Sequence, residues 1–144
     1  MPAHIDQRTG DFDQAAAANV AAIKADRAYV ERTGTPGSLY DKMYYTHHLH
    51  FLVMACSMQG NSRCALETAV AMAKHVEPSV KHMNMLEGFL AWQPFTLARF
   101  QRWSDILALP ASDPALTVYS AAWHDARGLA YIAKGDLSQA RGRA

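Results

Sequence analysis

The chain has 144 residues, half of them apolar, which is enough for about one domain with a buried core. Fourteen basic side chains against thirteen acidic ones leave a formal charge of +1, so neither a nucleic acid nor an anionic membrane surface is an expected partner. No stretch reaches the roughly 18 apolar residues of a membrane span, and the amino terminus lacks the basic region and apolar core of a secretion signal, so the expected address is cytoplasmic.

Apolar residues recur at helical spacing over residues 12–30, 39–58, 63–76 and 115–133, and no alternating strand pattern interrupts them. The expected fold class is all-α, an irregular array of α-α helical hairpins in one domain over residues 1–144. In chain order, residues 2–9 form the end of a first helix, stopped by Gly10. Gly takes the left-handed position that ends a helix, and Asp11 behind it can cap the free amides of the next. Gln14, three residues on, gives Asp11 the spacing of a capping box. A loop over residues 32–40 leads to the second long run, which ends at Gly60-Asn61 in the same way.

The third run closes in a loop over residues 76–82. Pro94 is expected to break or restart the helix that follows. Gln101 then takes the turn position that Gly holds elsewhere. After the last long run, Gly135-Asp136 repeats the pattern, with Gln139 at the capping-box spacing. Five residues beyond each turn stand Ala15, Ala65, Ile106 and Ala140, where a small residue lets the second helix of a hairpin approach the first.

From Gln101 to Gly135 is 34 residues, and Gly128, Tyr131, Gly135 and Ala140 follow one another as in the tetratricopeptide repeat, which this segment resembles. Trp123 sits one residue from the place where that pattern has its Trp. The other turns are 50 and 41 residues apart, hence the irregular array. Residues 1–19, 43–60 and 99–110 are similar to proteins related to tetratricopeptide repeat protein 38, which carry Pro-His-Asn where this chain has Thr46-His47-His48. The resemblance implies a fold and no particular reaction. Both ends are expected to be cut inside hairpins, leaving terminal helices open to self-association.

The hairpin register puts His47, His50, Met54 and Met58 on one helix face, the one that lines the concave groove of such an array. His4 and Arg8 join them from the preceding helix, Phe95 and Arg99 from the third hairpin, and Asp125 and Leu129 from the last. The expected function is a scaffold that holds a peptide or protein segment on these residues, with no cofactor. Methionine suits a surface that adapts to its partner. The alternative is a metal-binding protein or metal-dependent enzyme built on His4, His47 and His50, a set that lacks the carboxylate of an HExxH pattern.

His48, Phe51 and Ala55 are expected to pack on the adjoining helix, with Tyr44 and Tyr45 in the core or at the groove edge. His124 and Asp125 are adjacent and point about 100 degrees apart, so they form no acid/base pair. No nucleophile elbow, phosphate loop or dinucleotide fingerprint occurs, and no catalytic residue is expected. Cys56 and Cys64 are expected to be free thiols. Gly128 is expected where the last two helices come closest, so that Leu there would overpack.

Overall fold

The computed structural model describes residues 2–142, and the described residues are all-helical with no strand. The helices are α1 (Pro2–Thr9), α2 (Phe12–Thr33), α3 (Thr46–Met58), α4 (Ser62–Val76), α5 (Glu87–Leu90), α6 (Trp92–Arg99), α7 (Trp103–Ala108), α8 (Thr117–Ala133) and α9 (Leu137–Arg141). A π-helical turn over Asp41–Tyr45 runs straight into α3, a feature the helical periodicity did not announce. Each long helix packs on its chain neighbour, α1 on α2, α2 on α3 and α3 on α4. Farther along, α6 bridges α4, α7 and α8.

The turns follow one local mechanism. Gly10, Gly60 and Gly135 take φ of 85°, 74° and 81°, and Gln101 takes 55° without being a glycine. After each, the next amide reaches back five residues: Asp11 to the Asp6 carbonyl at 2.8 Å, and Asn61 to Cys56, Arg102 to Leu97 and Asp136 to Tyr131 at 2.9 Å. That is the six-to-one bond of a Schellman motif. The side chains of Asp11, Asn61 and Asp136 then accept from the amides of Gln14, Cys64 and Gln139 at 3.1, 3.2 and 3.1 Å. Only half of each expected capping box forms among the described residues. The Schellman bond already takes the cap residue's amide, so the Gln14 and Gln139 side chains have nothing left to bond there.

Ala15, Ala65 and Ile106 are fully buried at the tight approach after their turns, whereas Ala140 is only half-buried. Helix α5 stops before Ala91 and α6 starts at Trp92, which puts buried Pro94 in a first turn, where its missing amide costs no helical bond. The core runs between the helices in clusters, from Leu52, Cys56 and Ala65 through Leu49, Val53 and Met72 to Leu97, Ile106, Ala126 and Ala130.

Two expectations fail. Cys56, in the last turn of α3, and Cys64, in the first turn of α4, are joined by a disulfide with their Cα atoms 5.8 Å apart. The Gly60 turn itself brings them within bridging range. Gly128 lies on α8 with no atom of another described helix within 4 Å of where a Cβ would stand, so it is no point of closest approach.

Candidate functional site

Two clefts share one wall. Met54 and Met58, one turn apart on α3, face Trp92, Phe95 and Arg99 of α6 across a cleft of ≈ 240 Å³. On the other side of Phe95, Val118, Ala121, Ala122 and Asp125 of α8 line a second cleft of ≈ 530 Å³. The spacing of four residues in each of the pairs Met54/Met58 and Phe95/Arg99 is what turns these side chains to a common face. Met58, Phe95 and Val118 are 57%, 44% and 52% exposed, an apolar row open to solvent.

Arg99 holds the two helices in register. Its Nε–H and Nη2–H donate to the Ser57 carbonyl at 3.1 and 2.9 Å, joining the Gly60 amide that donates to the same oxygen at 3.3 Å at the end of α3. Below the cleft, Thr96 Oγ1 donates to the Trp92 carbonyl at 2.6 Å. Asp125, at the far end, is exposed.

A second row of rings leads into the cleft from α1. His4 stacks on His47 with centroids 5.2 Å apart, Phe51 lies 4.2 Å from His4 and 4.4 Å from His47, and His50 rests 4.4 Å from the Trp92 ring. His4 Nδ1 and His50 Nε2 are buried with no hydrogen-bond partner among the described residues. Burial, then the neighbouring His47, pushes the His50 pKa down to about 4. Burial, then His4 and His48, also pushes His47 down. For His50 and His47 this favours the neutral imidazole, and the rings serve as flat packing surfaces.

The structure therefore brings together Met54, Met58, Phe95 and Arg99 in one cleft, joins Asp125 to them through Phe95, and connects His50 through Trp92 and His47 through Phe51. Arg8 and Leu129 are exposed and line neither cleft. His4, His47 and His50, the alternative set, each lie against the Phe51 ring. No group of three or more His, Cys, Asp or Glu side chains among the described residues is arranged to hold a metal ion.

The sequence reading missed a polar network between α2 and α3. Asp26, only 5% exposed, accepts from Tyr40 Oη at 2.6 Å and faces His48 Nδ1 at 2.7 Å. A carboxylate only accepts, so His48 Nδ1 carries the proton. The bond to Asp26, then burial, pushes the Tyr40 pKa up to about 12. No hydroxyl or thiol bonds to His48 among the described residues. One signal was available: Ala15, Asn19 and Asp26 share the buried face of α2, and a carboxylate on such a face must find partners.

No protein-family model, curated protein or solved structure matches the chain.

Proposed function

We propose that the chain is an irregular hairpin array of the tetratricopeptide kind that binds an extended peptide segment of a partner protein along α3, α6 and α8. The observation that carries this reading is Phe95, which walls two apolar clefts at once on the face that the hairpin register assigns to the groove. Charge complementarity specifies the occupant: consecutive apolar side chains, a carboxylate toward Arg99, and a cation toward Asp125. Met54 and Met58 adapt to differing apolar side chains, and no cofactor is needed. A disulfide is rare in a reducing cytosol, so the Cys56–Cys64 bridge weighs against the cytoplasmic address expected from composition.

The test is a peptide-display selection followed by binding measurements in solution. Selected peptides should carry the apolar stretch with an acidic and a basic end, and Phe95→Glu should abolish binding while the helical circular dichroism stays unchanged. Peptides bound equally by Phe95→Glu would overturn the reading. Ile5 and Leu137, 65% and 54% exposed, support a second copy of the chain as a further partner, tested by light scattering over a range of concentrations.

A further inference from the structure

The π-helical turn has a second consequence. π-turns are rare and gather at functional sites, and the first and last residues of this one, Asp41 and Tyr45, line a single cleft of ≈ 580 Å³. Arg27, Val30 and Glu31 of α2, Gly34 and Pro36 behind it, and His75 near the end of α4 complete its wall. Small-molecule sites commonly run about 300–1,000 Å³, and this one shares no lining residue with the α3–α6–α8 clefts.

Arg27, Glu31 and Asp41 bring three charged side chains to its wall. Asp41 is held from two sides: its Oδ2 accepts from the Gly37 amide at 2.8 Å, and its carbonyl accepts from His75 Nε2 at 3.1 Å. The second carboxylate oxygen lies 3.6 Å from that same nitrogen, too far for a good hydrogen bond. Lys42 Nζ donates to the His75 carbonyl at 3.0 Å, which ties the turn to α4. Burial pushes the His75 pKa down against the opposing pull of Asp41, which disfavours the charged imidazole. The Arg27 guanidinium stands 5.5 Å from the centre of the Tyr45 ring. Arg27 and Glu31 are one helical turn apart, a spacing at which opposite charges ordinarily meet. Among the described residues neither has an ion-pair partner.

We propose that this cleft binds a small zwitterion, a free amino acid or a short peptide with both termini uncapped. Its carboxylate pairs with Arg27, its ammonium lies between Glu31 and Asp41, and its aliphatic body rests on Val30 and the Tyr45 ring. A ligand with only one charge leaves Arg27 or the carboxylates unanswered, whereas a zwitterion answers both.

The experiment is an amide-resolved NMR titration of the full chain with the common free amino acids and with glycyl-leucine, its N-acetyl form and its carboxamide. The uncapped compounds should move amides around residues 27–45 and His75, and each cap should weaken binding by about tenfold or more, since a charge-assisted hydrogen bond is lost. Arg27 and Glu31 are exposed, so Arg27→Gln and Glu31→Gln should leave the fold intact. Arg27→Gln should abolish the preference for acid over carboxamide, and Glu31→Gln should reduce the preference for free amine over acetyl. The proposal fails if no member of the panel moves those amides, if capped and uncapped forms bind alike, or if the shifts fall elsewhere.

Discussion

Asp26 and His48 face each other across the α2–α3 contact at 2.7 Å, and the same carboxylate accepts the Tyr40 hydroxyl at 2.6 Å. A carboxylate buried this deeply persists only because two donors meet it. Asp26→Ala therefore strands both donors and should destabilise by about 2–4 kcal/mol in chemical denaturation. Tyr40→Phe should have a clear effect in the native chain and almost none in the Asp26→Ala background. Additive effects in that double-mutant cycle would show that the three groups do not act as one network.

The Cys56–Cys64 bridge spans 8 residues of sequence. Closing a loop of that size removes unfolded-state entropy worth about 2.5 kcal/mol in the chain-entropy account. Reduction, or a Cys56→Ala, Cys64→Ala pair, should lower stability by roughly that amount while leaving the helical content unchanged. Intact mass before and after reduction without denaturant reports whether the bridge is present. A purified, air-exposed chain that carries two titratable thiols would contradict it.

How far the fold was legible follows from how local each cause is. The turns at Gly10, Gly60 and Gly135 could be read because a left-handed glycine and the capping side chain behind it are neighbours in sequence, and even Gln101 was found by its place in the pattern. That Met54 and Met58 share one face of α3, and Phe95 and Arg99 one face of α6, was legible through their four-residue spacing. The Asp26–His48 pair, 22 residues apart, and the π-turn that aims Asp41 and Tyr45 into a cleft were not, because their causes lie in packing between helices. The cysteines misled for another reason. Their chemistry was judged by compartment, whereas the Gly60 turn had already set their distance.

His50 should give the chain an acid-sensitive limb. An unfolded histidine titrates near 6.5, and the buried His50 near 4. Because the folded value is depressed, its contribution to stability is fully present above about 6.5 and is lost as the pH falls toward about 4, where the unfolded chain binds the extra proton. His47 and His75, also pushed down, add to the same slope. His50→Leu, which keeps an apolar body against Trp92, should flatten this limb without removing it. An imidazole NMR titration that placed His50 near the unperturbed value would rule out its burial against Trp92.

Two glycine substitutions of opposite kind test the hairpin register. Gln101 carries φ of 55°, a conformation that costs a residue with a Cβ about 1–2 kcal/mol. Gln101→Gly should therefore stabilise, by about 1 kcal/mol once the added backbone entropy of the unfolded chain is counted. Gly128, inside α8 with open space where a Cβ would stand, costs the helix about 0.5–1 kcal/mol relative to Ala. Gly128→Ala should recover most of that. The changes lie on separate features, so the double variant should gain the sum in thermal or chemical denaturation. A loss of stability at Gly128→Ala would show a neighbour that comes closer to α8 in solution, and a loss at Gln101→Gly would show that this turn is not held in the left-handed form its three glycine counterparts adopt.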